Sequence, residues 1–174
     1  MNVLFTWGST EAERARPYPC DRHAALPSEA CFRAVDVAAP VPLAFRWLCQ
    51  LRVAPYSYDW IDNFGHRSPT TRDPQNEQLA PGQRWMRIFE LVEYERDQHL
   101  TLVIRGTRMF GDVAVTYAVV PRGEQSRLVV KLAFRLEKWS PMRWILPAGD
   151  LIMMRKQLLT LKSLAEHEHA ANAA

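Results

Sequence analysis

Two stretches late in the chain decide the fold: LVVKLAFRL at residues 128–136 and LIMMRKQLLTLKSLA at residues 151–165. In the first, every second residue is large and apolar: Leu128, Val130, Leu132, Phe134 and Leu136. A period of two predicts a β-strand with one buried face. In the second, apolar residues recur at intervals of three and four: Leu151, Met154, Leu158, Leu161 and Ala165. That spacing predicts one long amphipathic helix.

The same patterns assign the rest of the chain to one α+β domain. APVP at residues 39–42 stops a first strand and opens a helix, because proline fits the first helical turn. Short polar turns between the later strands indicate antiparallel pairing. The predicted elements are strands at 31–38, 84–95, 99–105, 112–120 and 127–138, helices ending near 52 and 63, and a terminal helix at 147–168. We expect an irregular N-terminal arm at 1–30, a single domain at 31–168 and a frayed tail at 169–174.

Three segments carry a resemblance to a known superfamily: AAPVPLAFRWLCQL at residues 38–51, PYSYDWIDN at 55–63 and MMRKQLLTLKSLAE at 153–166. With the order of elements, they resemble the SRPBCC (START/Bet v 1-like) superfamily, in particular its bacterial polyketide cyclase/dehydrase and lipid-transport-like branch. The resemblance implies the helix-grip fold. In that fold a curved antiparallel β-sheet wraps around a long C-terminal helix, and two short helices follow the first strand.

The resemblance also implies a cavity between the sheet and the C-terminal helix. Members of the superfamily hold lipids, polyketide intermediates or similar small hydrophobic molecules there. Some members are enzymes, such as aromatase/cyclases, and others only bind. Because a fold does not fix a function, the resemblance transfers the location of the site and no catalytic residue.

Composition excludes several other classes of protein. The 174 residues are 48% hydrophobic and 24% charged, with a net charge of +3 and scattered arginines, which argues against nucleic-acid binding. Three cysteines without CxxC spacing favour reduced thiols and a cytoplasmic location. The N-terminus does not resemble a signal peptide, and no apolar run is long enough for stable membrane insertion. The sequence is compatible with a monomer or a homodimer.

The predicted cavity is lined by apolar residues of the strands and the terminal helix, with a polar end near the second short helix. The expected apolar lining is Met86, Ile88, Leu102, Tyr117, Leu132, Phe134, Met154 and Leu158. The expected polar end is Tyr58, Trp60 and Glu90. One or two polar groups of this kind orient an apolar ligand in a pocket.

Glu90 has two interpretations. It shares the parity of Met86 and Ile88, so an unbroken strand points it inward, where a carboxylate needs a partner or a raised pKa. The same strand would turn Trp85 and Leu91 outward. Alternatively, a bulge turns Glu90 outward, or it forms a structural ion pair.

The aromatic and acidic segment around Asp59 is either a gate for the ligand or part of the core with a capping carboxylate. Glu90 and Asp59 are weak candidates for proton transfer, and no acid–base pair is assembled in the sequence, so no catalytic residue is assigned. No histidine has companions at metal-ligand spacing, and no motif indicates a cofactor, so we expect neither metal nor cofactor.

The sequence therefore predicts binding or transport of a small hydrophobic ligand between the sheet and the C-terminal helix. One alternative is an enzyme of the polyketide cyclase/dehydrase type that uses an acid in the cavity. Another is a protein-interaction module without a ligand, which a filled cavity would favour.

Overall fold

The computed structural model contains one antiparallel sheet with helices on both of its faces. The structure describes residues 2–24, 29–58, 60, 66–107, 111–134 and 142–173. Their helices are α1 Val3–Thr6, α2 Glu11–Ala15, α3 Val41–Cys49 and α4 Met142–Ala173. Their strands are β1 Glu29–Val37, β2 Arg84–Trp85, β3 Phe89–Glu95, β4 His99–Thr107, β5 Gly111–Arg122 and β6 Gln125–Phe134. Short 3₁₀ helices lie at Pro19–Arg22, Gln50–Arg52 and Pro74–Glu77.

The strands lie in the order β1-β6-β5-β4-β3-β2, and every neighbouring pair is antiparallel. The curved sheet with its long C-terminal helix is the predicted helix-grip fold. The predicted alternation is confirmed in the three central strands, because their alternate residues join the core that α4 also enters. These residues are Leu100, Leu102, Ile104, Val113, Val115, Tyr117, Val119, Leu128, Val130, Leu132 and Phe134.

The single strand predicted at 84–95 is wrong. The chain forms two short strands there, β2 and β3, joined by a tight turn. Met86 and Arg87 adopt positive φ angles of 43° and 65°, and the reversal pairs Trp85 with Phe89. Non-glycine residues rarely adopt this left-handed conformation, so the sequence gives no warning of the turn.

The turn reverses the expected orientation of the neighbouring side chains. Trp85 and Leu91, which an unbroken strand would expose, are fully buried in the main core. Ile88, which it would bury, is 62% exposed. Glu90 is also exposed, as in its second interpretation. Its outward orientation results from the chain reversal after Trp85 and not from a bulge. The bulge in β3 lies further on, between Leu91 and Glu93.

Helix α4 begins earlier and ends later than predicted, and Pro147 lies inside it. Its C-terminal part is anchored by Glu168, whose carboxylate accepts a hydrogen bond from Trp47 Nε1 at 2.9 Å and pairs with Arg72 at 2.6 Å. Residues 169–173, expected to fray, are helical. In the described stretches, no helix has both the length and the apolar character needed to cross a bilayer.

The N-terminal arm, expected to be irregular, contains two short α-helices and a 3₁₀ helix and covers the convex face of the sheet. Glu13 and Asp21 of the arm form ion pairs, each at 2.5 Å, with Arg127 and Lys131 of β6. A second core lies beneath the arm and consists of Tyr18, Cys20, Phe32, Ala34, Val103, Ala114, Ala118, Val129 and Ala133.

Candidate functional site

Four polar side chains are buried in the apolar interior between the sheet and the N-terminal half of α4. Arg33 and Tyr117 belong to β1 and β5, and both pair with Val130 of β6, so they lie on either side of it. Asp150 and Gln157 belong to α4, about two helical turns apart. We call these four residues, Arg33, Asp150, Tyr117 and Gln157, the interior polar row.

Arg33 and Asp150 form one end of the interior polar row. Arg33 Nη2 lies 2.7 Å from Asp150 Oδ2 and also donates to the main-chain oxygen of Leu4 at 2.8 Å. Nη1 donates to the oxygen of Phe32 at 2.8 Å. Burial raises the pKa of Asp150 to about 6, although the Arg33 guanidinium acts in the opposite direction. Asp150 can therefore exchange a proton near neutral pH.

Tyr117 and Gln157 form the other end. Tyr117 Oη donates to Gln157 Oε1 at 2.8 Å, and Gln157 Nε2 donates to the oxygen of Pro55 at 2.6 Å. The same Nε2 lies 3.7 Å from Met86 Sδ. Burial raises the pKa of Tyr117, and the charge of Asp150 adds to the effect, so the phenol stays neutral. Gln157 thus links α4 to β5 and to the β2–β3 turn.

Two buried N–H donors of the interior have unused hydrogen-bonding capacity. Trp85 Nε1 and Arg33 Nε are inaccessible to solvent and have no hydrogen-bond acceptor in the described part of the chain. A buried donor without an acceptor costs about 1–3 kcal/mol. An oxygen atom of a bound molecule placed beside either donor would remove that cost.

The structure brings together most of the predicted lining residues. Six are buried in the main core: Leu102, Tyr117, Leu132, Phe134, Met154 and Leu158. Met86 is half-buried and contacts Gln157, as described above.

The remaining predicted residues are not brought to the interior polar row. Ile88 and Glu90 lie in an exposed groove beside the β2–β3 turn, so the inward orientation expected of Ile88 is wrong and Glu90 has the outward orientation of its second interpretation. Tyr58 is half-buried, and Trp60 is 75% exposed. Asp59, and with it most of the second short helix predicted at 55–63, lies outside the described residues.

Sequence reasoning missed Arg33, Asp150, Gln157 and Trp85 as parts of the interior. For Arg33 a signal existed, because it shares the parity of Val35 and Val37 on β1 and so falls on the inner face. For Asp150 the predicted start of the helix was misleading. A helix that begins near Pro147 places Asp150 in its first turn, whereas α4 begins at Met142.

A second candidate location lies on the convex side. A cleft of about 550 Å³ separates the N-terminal arm from β5 and the start of α3. Tyr18 lies in its wall, with Arg16 over the Tyr18 ring at 5.3 Å from the centroid. The interior polar row does not line this cleft, so the two locations can be tested separately.

Thiol chemistry is not supported by the structure. Cys20, Cys31 and Cys49 are all buried and free of disulfides. Burial raises their pKa values to about 11, 12 and 12, respectively, so the reactive thiolate is scarce at neutral pH. Among the described residues, no cluster of His, Cys, Asp and Glu is arranged to hold a metal ion.

Comparison with known proteins identifies the fold. No family model and no curated protein matches the chain. Among solved structures, protein MLL2253 from Mesorhizobium loti is 14% identical, with a TM-score of 0.53 over 80% of this chain and 98% of that one. A protein from Thermobifida fusca is 15% identical, with a TM-score of 0.54 over 79% of this chain and 93% of that one. Ara h 8.0201 is 7% identical, with a TM-score of 0.51 over 79% and 97%.

These likenesses show the fold, and the fold is the helix grip that the sequence predicted. The match spans nearly the whole length of each related structure. The class defined is therefore a helix-grip protein with a partly polar interior beneath its C-terminal helix.

Proposed function

We propose that this protein binds a small, mainly apolar molecule between the sheet and the N-terminal half of α4, with a polar group of the ligand at the interior polar row. The observation that carries the proposal is a set of four polar side chains in an otherwise apolar interior: Arg33, Tyr117 and Gln157 are buried, and the Asp150 side chain is 10% exposed. Two buried N–H groups there, Arg33 Nε and Trp85 Nε1, have no acceptor among the described residues. The helix-grip fold supports the same location.

The chemistry of the interior suits such a ligand. Burial of its apolar surface supplies about 25 cal/mol per Å² before the costs of association. Either Trp85 Nε1 or Arg33 Nε can donate to an oxygen of the ligand, which fixes its orientation. A carbonyl or carboxyl oxygen on a hydrophobic skeleton meets both requirements.

A matched pair of variants tests the location. The probe is 1-anilinonaphthalene-8-sulfonate, whose fluorescence rises in apolar sites. Tyr117→Phe removes a buried hydroxyl from the interior polar row. Tyr18→Phe removes a buried hydroxyl on the convex side, where it donates to the main-chain oxygen of Glu13. We expect Tyr117→Phe to change the affinity for the probe and Tyr18→Phe to leave it unchanged.

The reverse result would move the site to the convex cleft and contradict the proposal. Native mass spectrometry of the freshly purified protein gives an independent readout. A bound small molecule that is released from Tyr117→Phe but retained by Tyr18→Phe supports the interior site. A protein that neither carries a small molecule nor binds the probe favours an interaction module without a ligand.

An enzyme of the cyclase/dehydrase type is the second candidate, and Asp150 is the observation that favours it. Glu90, the acid first considered, is exposed, whereas Asp150 is buried with its pKa raised to about 6. A general acid or base works best with a pKa near the working pH. If the protein cyclises a poly-β-carbonyl compound, Asp150→Asn should abolish ring formation and keep binding of the fluorescent probe.

A further inference from the structure

The outer face of α4 is apolar along its first half. Ile145, Ile152 and Leu159 are 58%, 57% and 39% exposed. They are seven residues apart, so at about 100° per residue they lie on one side of the helix. Trp144 precedes them and is 61% exposed. We call these four residues, Trp144, Ile145, Ile152 and Leu159, the outer stripe.

Helix α1 extends this apolar surface. The ring of Phe5 packs edge-on against the ring of Trp144, with 6.2 Å between their centroids. This contact fixes α1 beside the start of α4. Val3 of α1 is 61% exposed. The apolar surface therefore spans two neighbouring helices and is larger than an isolated exposed side chain.

Positive charge flanks the outer stripe. Arg155 and Lys156 are both exposed, and helical spacing places one on each side of the stripe. The Arg155 guanidinium lies 5.6 Å from the centroid of the Trp7 ring, which holds it at the edge of the stripe. The only acid between residues 142 and 165 is Asp150, which is buried and paired with Arg33.

This charge distribution argues against a second copy of the chain as the partner. A symmetric dimer brings the same surface of both copies together. Paired outer stripes would place Arg155 and Lys156 of the two copies in one contact, without an exposed acid on α4 nearby to balance them. Like charges in a contact are costly, so the partner has to be negatively charged.

We propose that the outer stripe docks on the surface of an anionic lipid bilayer, with α4 lying in the plane of the interface. A line of large apolar side chains with a tryptophan at one end and cations on both sides is the composition of an interfacial helix. A bilayer also accepts side chains from two helices without a complementary groove. The proposal does not rest on the proposed ligand-binding function.

Flotation with lipid vesicles tests the proposal. Phosphatidylcholine vesicles are compared with vesicles that also contain phosphatidylglycerol. We expect the protein to bind only the anionic vesicles, and added salt to weaken the binding because it screens surface charge.

Ile152→Ser with Leu159→Ser should lower the partition coefficient about tenfold or more, because it removes apolar area from the interface. Arg155→Gln with Lys156→Gln should lower it about tenfold or more, because each basic residue near the surface contributes.

Ile88→Ser is the matched control, since Ile88 is also exposed but lies at the β2–β3 turn. Unchanged binding of this variant supports the proposal. Failure of the wild-type chain to bind anionic vesicles, or equal losses in Ile88→Ser and the outer-stripe variants, would overturn it. So would a dimer in solution that the outer-stripe variant converts to a monomer, or stripe-dependent capture of an acidic helical peptide without vesicle binding.

Discussion

Arg33 Nη2 and Asp150 Oδ2 lie 2.7 Å apart inside the protein, and this ion pair joins β1 to α4. The attraction of Arg33 does not fully offset the cost of burying the carboxylate, because the pKa of Asp150 still rises from 3.8 to about 6. The pair therefore positions α4 on the sheet at a cost in stability when the carboxyl is charged.

The first prediction concerns pH. The folded chain holds the Asp150 proton more tightly than the unfolded chain, so the free energy of unfolding falls as pH rises from about 4 to about 6 and then levels. Asp150→Asn cannot ionise and lacks this decline. At 1.36 kcal/mol per pKa unit, the stability of the variant relative to wild type should rise by about 3 kcal/mol between about pH 4 and pH 7. Urea unfolding of both proteins at a series of pH values measures this difference in the free energy of unfolding. A difference that does not change with pH would contradict the raised pKa of Asp150.

The second prediction concerns the other partner. Arg33→Met leaves Asp150 without its cation and leaves the Leu4 and Phe32 oxygens without this donor. We expect a loss of about 3 kcal/mol or more in the free energy of unfolding, as for a broken buried ion pair. Arg67→Met, at an exposed arginine, is the control and should be nearly neutral. Equal stability of the two variants would show that Arg33 is not needed in the interior.

The third prediction concerns the N-terminal arm. Burial raises the pKa of Glu13, but the hydrogen bonds from Arg127 and Thr10 outweigh it and lower the pKa from 4.5 to about 2. The resulting stability is present above pH 4.5 and is lost as pH falls towards 2. Glu13→Gln should lose about 3 kcal/mol at neutral pH, and much less near pH 2. Glu11→Gln, at an exposed position of the same helix, should change little in the same denaturation series.

The fourth prediction concerns the contact between the arm and β1. Gly8 has a φ of 74°, and a Cβ atom there would clash with the main-chain oxygen of Ala34. Gly123 has a φ of 61° and open space around the same position. Both alanine substitutions strain the backbone, but Gly8→Ala must also displace the arm. Gly8→Ala should therefore lower the melting temperature more and speed trypsin cleavage after Arg14. Equal effects of the two substitutions would show that the arm is not held at Gly8.

The alternation of apolar residues was enough to predict the three central strands, because it persists where one face of a sheet is buried. It failed at residues 84–95 because Met86 and Arg87 adopt positive φ angles, and neither residue type signals such a turn. A pattern of large apolar residues also cannot detect a chain segment that covers the opposite face. The convex face here carries Ala34, Ala114, Ala118 and Ala133, whose small side chains leave room for the arm.

The candidate site was predicted only in part, because periodicity finds apolar faces and does not find contacts between residues that are distant in the chain. The apolar lining follows from periodicity, so Leu102, Tyr117 and Leu158 were found. Gln157 reaches Tyr117 across the space between α4 and the sheet, and a contact over 40 positions in the chain leaves no local pattern. Trp85 is buried in the core because the chain turns directly after it, and the sequence pattern does not predict that turn.

The most direct test of ligand binding beneath α4 is the indole N–H resonance of Trp85 in an NMR titration with 1-anilinonaphthalene-8-sulfonate. Trp85→Phe identifies this signal among those of the six tryptophans. Ligand binding beneath α4 predicts a saturable shift of the Trp85 signal at the concentration where probe fluorescence saturates, with little change at the exposed Trp60. A Trp85 signal that stays fixed while the fluorescence saturates would contradict a binding site in the interior.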